Sequence, residues 1–301
     1  MLSDFVHRMA CDVCGSDVYT ILISKDYLDP AVVDFLASYY SQRIDLSILR
    51  DAHYEVARCS VCGFMWQTYI LNDRNMQLLY DVWISEDDSL KKKTLAPLAL
   101  RARYATEAYT IAELLRKPPH DVTVLDFGMG WGYWCLMAKS FGYRTYGAEL
   151  SETRVQYATA NGISVLNLDT VSAGQFDFIN SEQVFEHIPQ PLMMLRTLVT
   201  TLKPSGVIRI SVPDSERSVS QLASPDWKPA KDAFHPLEHI NSFTHTSLIE
   251  LGRRAGLRPL ESVPPIYFGV LSRRQAVRRL VNRRKPPQST TLYFVRDGAV
   301  I

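Results

Sequence analysis

Four of the five cysteines stand in two Cys-x-x-Cys-Gly units, CDVCG and CSVCG, whose thiolates could bind one metal ion. The candidate ligands are Cys11, Cys14, Cys59 and Cys62. Four thiolates complete the tetrahedron of a structural zinc ion, and the glycine after each pair permits the positive φ of a tight turn. We therefore expect a structural zinc site, with a redox dithiol or an iron–sulfur centre as the alternatives.

A glycine-rich loop follows the first predicted strand in VLDFGMGWG and contains Gly128, Gly130 and Gly132. Glycines at such a position let the backbone approach a ligand closely. Asp126 precedes them at the strand end, where a carboxylate can reach the amino group of an amino-acid-like ligand but would repel a pyrophosphate. Glu149 ends the next predicted strand, where a carboxylate can accept hydrogen bonds from both hydroxyls of a ribose.

Three of the seven histidines fall in the segment FHPLEHINSFTH. A hydroxyl nucleophile needs a general base because its own pKa lies far above 7, and histidine is the natural candidate. We expect His239 to supply the base, with His235 as the second choice and Glu182 as a third. His245 precedes a predicted helix and could be only a capping residue. His187, in FEHIP, is expected to order its loop.

From residue 118 onward the chain alternates short apolar runs with helical stretches, which is typical of a parallel sheet covered by helices on both faces. Seven strands are predicted, at residues 122–126, 144–149, 163–166, 176–180, 207–212, 257–263 and 291–296. The carboxyl ends of such strands bound the ligand site, so the histidine segment should overhang it. The sequence therefore predicts an α/β fold with a Rossmann-like seven-stranded sheet.

Two regions precede this sheet. Residues 1–72 should form a small zinc-ribbon-like module, and the apolar spacing between its cysteine pairs predicts an inserted helix. Residues 73–117 should form a helical connection that ends before Pro118 and Pro119. Residues 118–301 then make up the catalytic domain.

Five segments resemble the successive motifs of class I S-adenosylmethionine-dependent methyltransferases: VLDFGMGWG, YGAELS, FDFINSEQVFEHIPQP, LKPSGVIRISVPD and HINSFTHTSLIELGRRAGL. The nearest likeness is to bacterial small-molecule methyltransferases, including sugar-modifying ones, that carry an N-terminal Cys-x-x-Cys ribbon. The resemblance implies S-adenosylmethionine as the cofactor. It places Asp126, Gly128 and Gly130 at the methionine part, Glu149 at the ribose, Asp169 at the adenine and Asn180 beside the sulfonium.

The segment after the fourth predicted strand departs from two known patterns. Enzymes that methylate planar amines carry an Asn/Asp-Pro-Pro-aromatic motif where this chain reads NSEQ, so methylation of amino bases is disfavoured. Related quinone and RNA 3′-end methyltransferases read Glu-x-x-Glu-His here and bind a divalent ion through it. Gln183 replaces the first glutamate, so no catalytic metal is expected through that motif.

The motifs together predict methyl transfer to an oxygen, or less favourably a carbon, of a hydroxylated small molecule. A sugar or sugar-containing metabolite is the expected acceptor, and it could be phosphorylated or linked to a nucleotide. Two other functions are kept open. One is an RNA or protein methyltransferase that binds through the ribbon and the basic C-terminal segment. The other is a non-enzymatic scaffold that only binds S-adenosylmethionine.

Charge is unevenly distributed, although the formal net charge is only +1. Residues 251–301 contain 11 Lys and Arg but 2 Asp and Glu. Within them, residues 270–285 predict a basic amphipathic helix that contacts an anionic substrate or a membrane surface, or packs on the protein's own sheet. Nucleic acid is not an expected partner, because the whole chain is nearly neutral. The sequence shows no signal peptide or membrane-spanning run, so a cytoplasmic location is expected.

Overall fold

The computed structural model describes residues 4–50, 52–263 and 289–299. The elements of the N-terminal part are β1 (Phe5–His7), β2 (Tyr19–Asp26), α1 (Pro30–Tyr39), β3 (His53–Cys59), β4 (Met65–Gln67) and β5 (Tyr69–Leu71). The connection that follows contains α2 (Asp73–Leu78), a π-helical turn (Leu79–Trp83), α3 (Glu86–Thr94) and α4 (Leu98–Leu115).

The larger part of the chain begins with β6 (Thr123–Phe127), α5 (Tyr133–Ser140), β7 (Arg144–Ala148), α6 (Glu152–Ala160), β8 (Ser164–Val165) and β9 (Phe176–Glu182). It continues with α7 (Pro191–Thr201), β10 (Leu202–Pro213), α8 (Val219–Leu222), β11 (Asn241–Ser242), α9 (His245–Arg254), β12 (Leu257–Pro259) and β13 (Ser289–Arg296). Short 3-10 turns at Leu168–Thr170 and Phe185–His187 follow β8 and β9.

Among the described residues, seven strands form the main sheet in the order β12-β13-β10-β9-β6-β7-β8. The central strands pair in parallel, whereas β13 runs antiparallel to both β10 and β12. Every residue of β6 is buried, as expected for a central parallel strand with both faces covered. The predicted Rossmann-like seven-stranded sheet is confirmed, and the carboxyl ends of β6, β7 and β9 lie along one edge.

The N-terminal part forms a second sheet that takes its last strand from much later in the chain. Its order is β11-β4-β3-β2, and Asn241 and Ser242 of β11 pair antiparallel with Trp66 and Met65 of β4. A single buried cluster contains Cys11, Cys59, Phe64 and Trp66 together with the main-sheet residues Leu125, Phe127, Ile179 and Ile210. The two sheets therefore share one hydrophobic core.

The insertion between the two cysteine pairs contains the helix α1. Asp29 caps it by accepting a 2.9 Å hydrogen bond from the Ala31 N–H, and Pro30 occupies the first turn, where a missing N–H is harmless. The buried face includes Leu36, and Tyr40 is buried just beyond the helix end. At this end the insertion packs against the segment that contains His235 and His239.

Within the described residues, no helix is both long and apolar enough to cross a membrane. The basic helix predicted at residues 270–285 lies outside the residues that the structure describes.

Candidate active site

The glycine-rich loop joins β6 to α5, and all three of its glycines have positive φ, at 72° for Gly128, 54° for Gly130 and 75° for Gly132. A Cβ on Gly128 would lie 2.4 Å from Val184 Cγ2, and one on Gly132 would lie 2.4 Å from Ile163 Cδ1. A Cβ on Gly130 would meet only open space. Packing therefore requires two of these glycines, while the third leaves backbone accessible to a ligand.

Glu149 follows β7 and is held against the glycine-rich loop. Its Oε2 accepts a 2.9 Å hydrogen bond from the Gly130 N–H, and its Oε1 accepts from the N–H groups of Leu150 and Ser151 at 3.0 and 3.1 Å. Arg154 lies 3.9 Å away and adds a favourable charge. Because a carboxylate has about four acceptor positions, this fixed group can still accept hydrogen bonds from ribose hydroxyls.

Asp126 lies in β6 within a buried polar network that crosses the sheet. Its Oδ1 accepts a 2.7 Å hydrogen bond from Asn180 Nδ2, and Asn180 Oδ1 accepts one of 2.7 Å from Arg209 Nη1. Arg209 also donates to Glu107 of α4 at 2.8 Å. Burial raises the pKa of Asp126 to about 7, and the charge of Glu182 acts in the same direction. Asn180 therefore orients Asp126 and uses both ends of its amide to do so.

Asp169 and Glu182, which the sequence also predicts as site residues, differ in their exposure and in their hydrogen-bond partners. Asp169 is exposed in the 3-10 turn after β8, and its N–H donates to Asn167 Oδ1 at 3.0 Å. Glu182 ends β9, and its Oε1 accepts a 2.5 Å hydrogen bond from Arg103 Nη2. Because Arg103 is paired with it, the Glu182 carboxylate is held in place by α4.

His187 and His239 come together from different loops, with ring centroids 5.1 Å apart. His187 Nδ1 lies 2.8 Å from the Glu238 carbonyl oxygen, and His239 Nδ1 hydrogen-bonds to the Asp232 carbonyl oxygen. A carbonyl can only accept, so Nδ1 carries the proton in both rings and Nε2 keeps its lone pair when the ring is neutral. Burial lowers the pKa of His187 to about 4 and that of His239 well below its usual value.

His235 lies behind His239, with ring centroids 5.5 Å apart. It is 1% exposed, neither ring nitrogen has a hydrogen-bond partner among the described residues, and burial lowers its pKa to about 3. Phe35 and Tyr39 of the N-terminal insertion pack on its ring with centroids 5.2 and 4.5 Å away. His245 is exposed at the start of α9.

The N-terminal part also fixes the backbone that carries these histidines. Gln67 Nε2 of β4 donates to the carbonyl oxygens of His235 and His239, both at 3.0 Å. Tyr40 donates a 3.0 Å hydrogen bond to Glu238 Oε1. No motif marks Gln67 or Tyr40 in the sequence, because these contacts join residues that are far apart along the chain.

Glu186 and Tyr80 complete this group, although the sequence analysis assigned neither a role. Glu186 is 1% exposed, neither carboxylate oxygen hydrogen-bonds to another described residue, and burial raises its pKa to about 8. Tyr80 projects from the π-helical turn, 6.1 Å from His187 between ring centroids, and its buried hydroxyl has no partner among the described residues. The pKa of Tyr80 is raised chiefly by burial, and the nearby charges of Glu238 and Glu186 act in the same direction.

A separate cluster contains the four N-terminal cysteines, whose sulfur atoms all lie within 4.8 Å of one another. The distance from Cys11 Sγ to Cys62 Sγ is 3.5 Å and that from Cys14 Sγ to Cys59 Sγ is 3.4 Å, too long for disulfide bonds. Gly15 and Gly63 adopt the positive φ expected after each pair. The two turns therefore bring four thiols around one point, an arrangement that could hold a tetrahedral metal ion.

The methyltransferase domain family matches residues 100–262, which span the glycine-rich loop, Glu149 and both histidine loops. The chain belongs to this family. It is an S-adenosylmethionine-dependent methyltransferase. A Cβ on Gly130 would meet open space, and the Gly130 N–H donates to Glu149 Oε2 at 2.9 Å, so this part of the loop is open beside a fixed carboxylate.

Several curated proteins are similar to this methyltransferase over part of its length. A ubiquinone biosynthesis O-methyltransferase from Bordetella avium is 26% identical over 182 residues, which cover 54% of this chain and 75% of the relative. One from Haemophilus ducreyi is 28% identical over 103 residues, covering 29% of this chain and 44% of the relative. A Burkholderia thailandensis 1,6-didemethyltoxoflavin-N1-methyltransferase structure has a TM-score of 0.48 at 16% identity, covering 80% of this chain and 95% of that one.

Proposed function

We propose that this methyltransferase methylates a hydroxyl oxygen of a small molecule. One observation carries the proposal: His187 and His239 are both held by Nδ1 on backbone carbonyls, which leaves an Nε2 lone pair on each of two adjacent rings near the glycine-rich loop. The contact between Gly128 and Val184 supports this position, because Val184 lies only two residues before Glu186. The O-methyltransferase names of the curated relatives agree with an oxygen acceptor.

Separate residues of the chain would bind the cofactor and remove the proton of the acceptor. S-adenosylmethionine supplies an electrophilic methyl group when bound and leaves as S-adenosylhomocysteine. Asp126 would hold the ammonium group of the cofactor and Glu149 its ribose. The acceptor hydroxyl would lie at His239 Nε2, whose lone pair would take the hydroxyl proton as the oxygen attacks the methyl group. Holding the partners in line contributes up to about 7–11 kcal/mol to the lower barrier.

Aromatic rings and one cation would determine which acceptors bind. Tyr80, Phe35 and Tyr39 surround the histidines, and an aromatic face suits either the C–H face of a sugar or a phenol ring. Lys231 is exposed, and its Nζ donates a 3.0 Å hydrogen bond to the Tyr39 hydroxyl. A sugar or sugar-containing metabolite, phosphorylated or nucleotide-linked, therefore remains our proposed acceptor class, with the phosphate near Lys231.

We further propose that Cys11, Cys14, Cys59 and Cys62 bind a structural zinc ion. Four thiolates leave no open position for a substrate, so the ion would stabilise the fold and take no part in catalysis. The support is the distance of at most 4.8 Å between the sulfur atoms and the shared packing of Cys11 and Cys59 with the core.

The function is tested by measuring S-adenosylhomocysteine release with acceptor panels of sugars, sugar phosphates, nucleotide sugars, phenols, RNA and unfolded protein. We expect turnover with a hydroxylated small molecule and mass spectra that show one added methyl group on oxygen. His239→Ala should lower turnover by about 10² or more with cofactor affinity unchanged, whereas the exposed His245→Ala should match the wild type. Turnover with RNA or protein alone, or a loss of less than about threefold in His239→Ala, would overturn the proposal.

A further inference from the structure

A buried arginine lies within the main sheet, in the apolar run VIRISV of β10. Arg209 is only 3% exposed. Burying a charged group is unfavourable unless the group is paired, so an arginine at such a position calls for an explanation. The strand register supplies one, because Asp126 of β6 pairs with Asn180 of β9 and Asn180 pairs with Arg209 of β10. The three side chains therefore stand in one row across three adjacent strands.

Arg209 determines which way the Asn180 amide faces. A guanidinium group has only donors, so the amide must turn its oxygen toward Arg209, whose Nη1 donates to Asn180 Oδ1 at 2.7 Å. The amide nitrogen then faces Asp126 and donates to its Oδ1 at 2.7 Å. With the opposite orientation, two oxygen atoms would face each other across this contact. The guanidinium therefore keeps Asn180 as a donor to the Asp126 carboxylate, which favours the ionised form.

The helix α4 holds the guanidinium of Arg209. Glu107 Oε1 accepts a 2.8 Å hydrogen bond from Arg209 Nη2 and one of 3.2 Å from Arg103 Nη1. Glu107 Oε2 accepts a 3.1 Å hydrogen bond from Trp134 Nε1 of α5. A helix that precedes the main sheet therefore fixes, through Glu107, the arginine that orients Asn180.

Polar and charged groups from four elements act on Asp126: Tyr104 of α4, Cys135 of α5, Asn180 and Glu182 of β9, and Arg209 of β10. Burial raises the pKa of Asp126, and the charge of Glu182 adds to this effect. The hydrogen bond from Asn180, the Cys135 thiol at 3.7 Å and the charge of Arg209 act in the opposite direction. Arg209 thus favours an ionised Asp126 both through Asn180 and by its own charge.

We propose that Arg209 is a positioning residue for S-adenosylmethionine. Through the Asn180 amide it holds the Asp126 carboxylate ready for the ammonium group of the cofactor, and Glu107 anchors it from α4. The buried guanidinium needs no contact with the cofactor for this role. The inference rests on the role proposed for Asp126, and it concerns cofactor binding and not the acceptor.

A double-mutant cycle separates this role from a structural one. Isothermal titration calorimetry of the full-length protein with S-adenosylmethionine, without acceptor, compares Arg209→Met, Asn180→Ala and the two changes together. In the otherwise wild-type protein, Arg209→Met should weaken binding about tenfold at about pH 7. In the Asn180→Ala background the same change should weaken binding less than about threefold, because the amide that transmits the effect is absent. Equal losses in the two backgrounds would overturn the proposal.

The pH profile of binding gives a second reading. Without the positive charge and the oriented amide, Asp126 should take up its proton at a higher pH. The acid limb of the affinity profile should therefore move upward by about one pH unit in Arg209→Met. A loss of affinity that is equal at every pH would contradict the proposal. If Arg209→Met does not fold, Arg209→Lys replaces it and should shift the limb in the same direction by less, because an ammonium group lacks the planar fork that reaches both Asn180 and Glu107.

Asp177→Asn is the matched control for loss of a buried charge from the same sheet. Asp177 lies near the amino end of β9, is 1% exposed, and pairs with Lys117 and Lys203 at 2.9 and 2.6 Å. Its replacement should lower stability against urea but leave the affinity for S-adenosylmethionine within about twofold of the wild type. A loss of affinity as large as that of Arg209→Met would show that affinity only follows stability, and the proposal would fall.

The outcomes also separate Arg209 from the role proposed for Asp126. If Asp126→Asn binds S-adenosylmethionine as the wild type does, the role of Asp126 falls and the inference falls with it. If Asp126→Asn weakens binding and Arg209→Met does not, the role of Asp126 stands and only the inference about Arg209 falls. Methyl transfer to a hydroxyl is tested independently by the acceptor panels, because these titrations contain no acceptor.

Discussion

Nη1 of Arg8 donates a 2.9 Å hydrogen bond to the carbonyl oxygen of Ile240, the residue that follows His239. Arg8 Nη2 also donates to Asn241 Oδ1 at 2.8 Å and to Asp12 at 2.6 Å. The arginine is 8% exposed, and burial lowers its pKa while the charge of Asp12 opposes that change. One side chain from the first strand region therefore ties the N-terminal part to the loop that carries the histidines.

Removal of this tether should impair both stability and catalysis. Arg8→Met keeps the length of the side chain but removes the donor of Asn241 Oδ1 and one of the two donors of the Ile240 carbonyl oxygen, so the free energy of unfolding should fall by about 1–3 kcal/mol. Turnover should fall more than cofactor affinity, because the histidine loop loses its anchor. Urea denaturation and steady-state kinetics measure the two effects. Arg58→Met, on an exposed position of β3, is the matched control and should change stability by less than about 0.5 kcal/mol.

Gly130 should be needed for the cofactor and not for packing. Gly130→Ala and Gly174→Ala both place a Cβ at positive φ in open space, so each should cost about 1–2 kcal/mol of stability. Only Gly130→Ala should also weaken S-adenosylmethionine binding, because only its new methyl group faces the ligand. Isothermal titration calorimetry on both variants decides this, and equal affinities would show that the ligand lies elsewhere.

Glu149 should contribute directly to cofactor affinity. Glu149→Ala removes the acceptor for ribose hydroxyls and the partner of the Gly130 N–H, and should weaken S-adenosylmethionine binding by roughly 1.5–3 kcal/mol. Glu152→Ala, an exposed position in the next helical turn, should bind as the wild type does. An unchanged dissociation constant in Glu149→Ala would exclude the assignment.

Cofactor binding should depend on pH through Asp126. Burial raises the pKa of this carboxyl to about 7, and the ammonium group of the cofactor requires its ionised form. Affinity should therefore fall roughly tenfold per pH unit well below about pH 7, and it should also fall above about pH 8, where the ammonium group of the cofactor loses its own proton. Calorimetric titrations across this range measure the profile. Asp126→Asn should bind weakly at every pH, and a level profile in the wild type would argue against the role.

Loss of the cysteine cluster should destabilise the whole protein. Cys59 packs in the same buried cluster as Leu125 and Phe127 of β6, so Cys59→Ser should lower the melting temperature of one common transition. Differential scanning calorimetry distinguishes this from independent unfolding. Two separated transitions, with the later one unchanged, would show that the N-terminal module unfolds alone. Cys135→Ser, away from the cluster, is a control for loss of a buried thiol.

The features predicted well from the sequence were those fixed by neighbouring residues. The strand β6, the glycine-rich loop and the two cysteine turns each depend on side-chain types at short spacing, and each occurs where it was predicted. Within the helical connection predicted over residues 73–117, the helix α4 ends at Leu115, before Pro118 and Pro119 as expected. Local backbone preferences and burial on both strand faces are sufficient to specify these elements.

The site around the histidines depends on contacts that no spacing reveals. The sequence marks Glu186 only as part of the motif that begins at Gln183. The structure brings His239 close to Glu186 from a later loop. Tyr80 reaches the site from a π-helical turn, an irregularity that often occurs at functional sites but has no sequence signature. The side-chain amide of Gln67 donates hydrogen bonds to the carbonyl oxygens of His235 and His239, which are far from Gln67 in the sequence.

The pairing of β11 with β4 also has a consequence for biosynthesis. At roughly 5–20 residues per second, a ribosome delivers Asn241 on the order of ten seconds after Trp66. During that interval the N-terminal sheet lacks its edge strand, and the four thiols lie in an unfinished domain. Early capture of a metal by these thiols would protect them from oxidation while the rest of the chain is made. The nascent chain should therefore be most vulnerable to oxidants and to foreign metals before Asn241 and Ser242 emerge.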